Sequence, residues 1–205
     1  MKNSSALLMA ATLCACATSP ASDRSAPTPP QANDAYFQAA AQQIAQRPGA
    51  ARARNVIIFI GDGMGVSTVT AARIYAGQRQ GLDGESYSLA MDAFPRTALS
   101  RTYGADAQIS DSAPTATALL SGVKTDAGVV GLTAAVSPRD CASAAGAISR
   151  SLFEIAEAQG LATGVVSTAR LTHATPAATY AHSAHRDWEN DVAAARDGGG
   201  ACVDI

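Results

Sequence analysis

The chain has 205 residues, 47% of them hydrophobic, and a formal charge of −2. That length holds one sizeable domain. The near-neutral charge leaves no broad electrostatic field for nucleic acid or an anionic membrane, so any anion-binding site must be local.

The N-terminus has the pattern of an export signal over residues 1–17. Lys2 is its basic region, and Ala6 to Leu13 is an apolar run too short to span a bilayer. Two processing readings compete. Ala15-Cys16-Ala17 suits an ordinary signal peptidase. Leu13-Cys14-Ala15-Cys16 resembles a bacterial lipobox, in which Cys16 carries the lipid. Both predict export, to the periplasm or to an outer-membrane-anchored lipoprotein. With Cys14 and Cys16 in the signal, the folded part keeps Cys141 and Cys202. A disulfide is their simplest state in an oxidising compartment; two free buried thiols are the alternative.

Residues 18–33, with Pro27, Pro29 and Pro30, read as a flexible spacer. The segment 34–205 reads as the folded part. Asp34 can cap a helix over 35–46 that ends before Pro48-Gly49. Val56-Ile57-Ile58-Phe59-Ile60 is short and rich in β-branched residues, which predicts a parallel strand buried on both faces. Gly61-Asp62-Gly63-Met64-Gly65 follows it, then a helix over 67–75. A second strand is expected over 97–103 and a helix starting at Asp111-Ser112. Residues 123–136, rich in Gly and Thr, read as irregular. Further elements are a helix over 143–159, a buried strand over 161–167, a polar loop to Pro176 and a short helix over 177–183. There is no internal repeat. This alternation predicts an α/β fold: an open, mostly parallel sheet flanked by helices on both faces.

Three polar clusters fall at strand or helix ends, where α/β proteins gather their ligands. Ser112 opens a helix whose first turn accepts Pro114 and whose end suits Gly122. Backbone N–H groups and the helix dipole favour an anion there, as a phosphoserine needs. The plain alternative is that Asp111 or Ser112 is only an N-cap. Asp62, between glycines, can approach a cation closely, or can brace a tight turn. His173 and Thr175 follow the strand over 161–167; each also fits an ordinary loop. Arg186 can grip phosphate oxygens in pairs, or form a surface ion pair. Asp and Thr oxygens suit Mg²⁺, and imidazole adds Zn²⁺. Two cations beside a serine would stabilise the attacking and leaving oxygens of an in-line phosphoryl displacement. No G-x-S-x-G elbow is present, and a metal-activated serine requires none.

Three long stretches together resemble the alkaline phosphatase family. They are Asn55 to Ser67, Asp111 to Ala118, and Thr172 to His182 with Arg186-Asp187-Trp188. The likeness runs from about Asp34 to Ile205 in matching order. It is closer to the animal-type branch, while the export signal points to a bacterial source. The resemblance implies that Asp62 bridges one zinc and the magnesium. Ser112 becomes the nucleophile, held by that zinc and transiently phosphorylated. Thr175 becomes a magnesium ligand with His173 beside it, and Arg186, oriented by Asp111, clamps the substrate phosphate. It further implies two Zn²⁺ and one Mg²⁺, phosphate monoester substrates, a Cys141–Cys202 disulfide and a homodimer whose contact uses the helix around Tyr36.

Members of that family are much longer, and their remaining metal ligands are later Asp, His and Glu residues. The expectation is therefore the N-terminal part of such an enzyme, truncated after its first half and inactive alone. Rivals are an exported non-catalytic metal- or phosphate-binding lipoprotein, and a related superfamily phosphodiesterase or sulfatase. Ser112 together with Arg186 favours the monoesterase.

Overall fold

The computed structural model describes Gln38, Gln42 and residues 53–94, 97–198 and 202–205. The export signal, the spacer and most of the helix expected over 35–46 lie outside the described residues. Gln38 and Gln42 are both helical.

Helix α1 spans Val66–Gln78, slightly longer than the pattern predicts. Helix α2 spans Ser112–Ser121, and its two ends explain it. Asp111 accepts the N–H of Ala113 at 2.8 Å. Gly122 closes the other end at φ 75°, and its N–H reaches the Ala118 carbonyl. Helix α3 is short, Leu152–Glu157. Helices α4 and α5 span Ala174–Ala177 and Asp191–Gly198. Short 3₁₀ turns occupy Ala90–Ala93 and Cys141–Ala144.

The helix expected over 143–159 is corrected to α3. Ile148, Leu152, Ile155 and Ala156 have helical spacing, but Gly146 takes φ 77° and Ile148 forms an antiparallel bridge to Leu132. Ser151 then starts the helix with a capping box: its hydroxyl accepts the Glu154 N–H, and the Glu154 carboxylate accepts the Ser151 N–H. The short helix expected over 177–183 lies earlier, at α4. The sequence reading did not anticipate α5.

The expected sheet is not assembled among the described residues. Residues 56–60, 97–103 and 161–167 are without helix, and no ladder joins them. The ladder contacts are two isolated antiparallel bridges, Val130 to Ser183 and Leu132 to Ile148. The consequence is visible in exposure: Val56, Ile57 and Phe59 are 72%, 78% and 92% exposed. Successive strand residues face opposite sides, so an apolar run exposed throughout lacks neighbours on both faces.

The core lies instead around α2 and α4. Ala113, Ala116 and Leu120 of α2 pack with Ala174, Ala177, Ala178, Ala181 and Val130. Small side chains here let the α2 and α4 backbones approach closely. A second cluster gathers Val129, Leu132, Val136, Ala184 and Ala194 around the fully buried Trp188. Gly131 joins the two. Its N–H donates to the Thr117 hydroxyl at 2.9 Å, and its carbonyl lies 2.6 Å from His182 Nδ1. A Cβ at Gly131 would fall 2.1 Å from the Ala181 carbonyl oxygen, and φ is +63°. Only glycine fits there.

Cys141 and Cys202 are joined by a disulfide across 61 residues. The alternative of two free thiols is thereby excluded. Closing a loop of this size stabilises by about 4 kcal/mol in the chain-entropy model.

Candidate active site

Asp62 lies in the turn after the extended apolar run, next to Gly63 at φ 67°. Ser112 is the first residue of α2, and Thr175 is the second of α4. The packing of α2 on α4 brings both hydroxyls to one carboxylate. Ser112 Oγ donates to Asp62 Oδ1 at 3.2 Å and Oδ2 at 3.0 Å. Thr175 Oγ1 donates to Oδ2 at 2.8 Å. The Thr175 hydroxyl, opposed by burial and reinforced by Ser112, His173 and Arg186, holds the Asp62 carboxyl below its ordinary pKa. Hydrogen bonds and positive charge both favour the ionised form.

Arg186 forms the second half of the site. Its Nη1 donates to Asp111 Oδ1 at 2.9 Å, and its Nη2 lies 3.2 Å from His173 Nε2. A guanidinium only donates, so Nε2 is the ring nitrogen on the Arg186 side and Nδ1 lies on the other. That atom is buried without a partner. Asp111 does three jobs with two oxygens. Oδ1 accepts from Ala113 N and Arg186 Nη1, while Oδ2 accepts the Gly128 N–H at 2.8 Å. Gly128 answers through its carbonyl, which accepts the Arg186 N–H at 2.7 Å. Asp111 therefore caps α2 and holds Arg186 with the same oxygen.

Two cavities meet at Asp62 and Thr175. One, of about 550 Å³, is lined by Asp111, Ser112, Gln108 and Ile109. The other, of about 1180 Å³, runs along Ile58–Gly61 and Gly164–Ala169 to His173. The serine hydroxyl thus borders open space while its helix is anchored in the core.

The donor set favours hard cations in part. Asp62, Ser112 and Thr175 offer converging oxygens, the chemistry Mg²⁺ prefers. Zinc prefers imidazole and thiolate as well as carboxylate. Among the described residues, no three His, Cys, Asp or Glu side chains converge. The oxygens of Asp62, Ser112 and Thr175 therefore suit magnesium better than zinc.

All the site residues expected from the sequence come together: Asp62, Ser112 and Thr175 in one group, Asp111, His173 and Arg186 in the other. The sequence reading missed a carboxylate behind them. Glu189 accepts from Arg170 Nε at 2.7 Å, Arg170 Nη2 at 2.5 Å and Thr172 Oγ1 at 2.6 Å. Bonded first by Arg170, against a burial penalty and with help from Thr172, its carboxyl falls to a pKa of about 2. No local pattern in the sequence pointed to it, since its partners lie 17 and 19 positions earlier.

The Ser112 hydroxyl thus rests on the Asp62 carboxylate, and the Arg186 guanidinium on the Asp111 carboxylate. The alkaline phosphatase family model matches residues 53–205, and the chain belongs to this family. The tissue-nonspecific alkaline phosphatase isozyme of Gallus gallus is 52% identical over 154 residues, covering 75% of this chain and 30% of that protein. The Homo sapiens isozyme of the same description is 53% identical over 139 residues, covering 68% and 26%. Among solved structures, the cold-active alkaline phosphatase of the psychrophile Shewanella sp. superposes with a TM-score of 0.52 at 30% identity, covering 68% of this chain and 32% of that one. The chain therefore spans between 26% and 30% of the length of these curated relatives. The solved neighbours are alkaline phosphatases, and the architecture is consistent with their fold.

Proposed function

We propose that this chain carries the nucleophile and phosphate-gripping part of a phosphate monoester hydrolase that works through a phosphoserine. The observation that carries this reading is the joint geometry of Ser112 on Asp62 and Arg186 on Asp111. Ser112 Oγ forms the bond to phosphorus as the ester P–O bond breaks. Its hydrogen bond directs the leaving proton toward Asp62, and the departing alkoxide takes a proton from solvent. Arg186 uses its remaining N–H groups on the phosphoryl oxygens, and the α2 N-terminus adds its dipole. Water then attacks phosphorus as the Oγ–P bond breaks, Ser112 Oγ takes back the proton passed to Asp62, and inorganic phosphate leaves.

Two Zn²⁺ and one Mg²⁺, when bound, supply charge neutralisation and a more acidic serine. Asp62 and Ser112 would hold zinc; Asp62 and Thr175 would hold magnesium, with His173 beside it. The apolar extended segments 56–60 and 161–167 are assigned to the interior of a mostly parallel sheet with helices on both faces.

The same proposal covers the ends and partners of the chain. Residues 1–17 act as an export signal, 18–33 as a spacer and 34–205 as the N-terminal part of the catalytic domain. The protein works in the periplasm or on the outer membrane, there through a lipid on Cys16. It pairs as a homodimer and has no specific nucleic-acid partner. Among the described residues no helix is long and apolar enough to cross a membrane.

The test is to supply zinc, magnesium and labelled inorganic phosphate, quench in acid and map the label. Label on Ser112, absent from Ser112→Ala, is the expected result. Label on another side chain, or metal-dependent hydrolysis of a chromogenic monoester that survives Ser112→Ala, overturns the reading.

A further inference from the structure

Glu189 sits behind the site and has no part in the reaction just described. It follows Trp188, which is fully buried and whose carbonyl accepts the Ile205 N–H at 2.9 Å. The backbone that carries Glu189 is therefore fixed. Its carboxylate faces the loop that ends at His173, and that loop is fastened repeatedly. Arg170 gives a two-point guanidinium contact to Glu189, and the Thr172 hydroxyl adds a third bond. Between them, the Leu171 carbonyl accepts the Tyr180 hydroxyl at 2.8 Å. The turn is closed by the His173 N–H on the Arg170 carbonyl at 3.0 Å.

We infer that Glu189 is a positioning residue: its three hydrogen bonds to Arg170 and Thr172 set the His173 loop so that the imidazole meets Arg186. The bonds form a closed circuit. It runs from Glu189 through Thr172 to His173, across 3.2 Å to Arg186, and back through Trp188 to Glu189. Without the carboxylate, the circuit is open at the loop, and His173 Nε2 loses its fixed distance from the guanidinium.

An exposed ion pair alone would not argue for this. The Arg170 side chain is 69% exposed, and pairs of that kind contribute little to stability. Glu189 differs in being only 17% exposed and in binding a charged fork and a hydroxyl at once. The interaction therefore fixes the placement of the loop as well as adding to stability.

The inference rests on the phosphate-gripping role proposed for Arg186, so the test separates the two. The purified chain is compared with Glu189→Ala, Glu189→Gln, Arg170→Met and Thr172→Val. Nitrogen-15 NMR of the His173 ring reads the circuit directly. Titration with inorganic phosphate reads the grip. Glu189→Ala should keep a cooperative unfolding transition, shift and broaden the His173 Nε2 signal, and weaken phosphate binding on the order of tenfold, as lost supporting partners do elsewhere. Glu189→Gln keeps one acceptor oxygen and should recover part of both effects. A His173 signal unchanged in folded Glu189→Ala overturns the inference. Should that variant fail to fold, Arg170→Met and Thr172→Val are judged by the same His173 signal. If no version binds phosphate, the phosphatase reading falls, while the His173 signal still decides the positioning role.

Discussion

Asp111 and Arg186 lie 75 positions apart and share a hydrogen bond of 2.9 Å, made by the same carboxylate oxygen that caps α2. The helix that starts at Ser112 and the Arg186 guanidinium are thus coupled through one side chain. A change at Asp111 acts on folding and on the site together.

Asp111→Ala removes the cap on Ala113 and leaves the Gly128 N–H and the Arg186 guanidinium short of an acceptor. The lost cap costs about 1 kcal/mol and the unpaired Gly128 donor about 1–2 more. Urea denaturation should show the sum, with Asp111→Asn intermediate because it keeps one oxygen. A loss below the cap alone would mean that the Gly128 and Arg186 contacts add nothing.

Arg186→Lys keeps the charge but loses the planar fork that binds Asp111 and, in the proposed role, phosphate at once. Phosphate titration should show binding weaker by about 1.5 kcal/mol, roughly tenfold, the worth of one charge-assisted hydrogen bond. Equal affinity would show that only charge matters at this position.

Glu189 gives a pH prediction. Its pKa falls from 4.5 to about 2 in the folded chain, chiefly through Arg170. A depressed carboxyl pKa adds stability that is complete above 4.5 and is lost as the pH falls toward 2. Urea midpoints measured across that window should fall steeply for the native chain and more gently for Glu189→Gln. Parallel curves would show that the carboxylate is no better bonded folded than unfolded.

Gly131 and Thr117 give a packing prediction. Thr117 is 1% exposed, and its hydroxyl accepts the Gly131 N–H. Thr117→Val leaves that N–H unpaired and should cost about 1–3 kcal/mol. Gly131→Ala puts a methyl against the Ala181 carbonyl at positive φ and should cost more than about 1 kcal/mol. Thermal unfolding followed by circular dichroism measures both.

What could be read from residues in order was local. Helix α2 announced itself through Asp111, Pro114 and Gly122, because caps and stops act within one turn. Asp62, Ser112, Thr175, His173 and Arg186 were legible because their motifs are long and specific. The segment 143–159 misled because its apolar spacing is helical while Gly146 and the Leu132 bridge intervene. The segments 56–60 and 161–167 were legible as apolar runs, but the strands expected there are not formed among the described residues, because pairing depends on neighbours far off in the chain. Glu189 was hidden for the same reason: its partners stand 17 and 19 positions away, and no local rule joins them.

The cross-link between Cys141 and Cys202 divides the site by its position. His173, Thr175 and Arg186 lie inside the loop it closes; Asp62, Asp111 and Ser112 lie outside. Oxidation therefore acts on half of the chemistry. Reducing the bond would remove about 4 kcal/mol of restraint, in the chain-entropy model, from the loop that carries His173, Thr175 and Arg186.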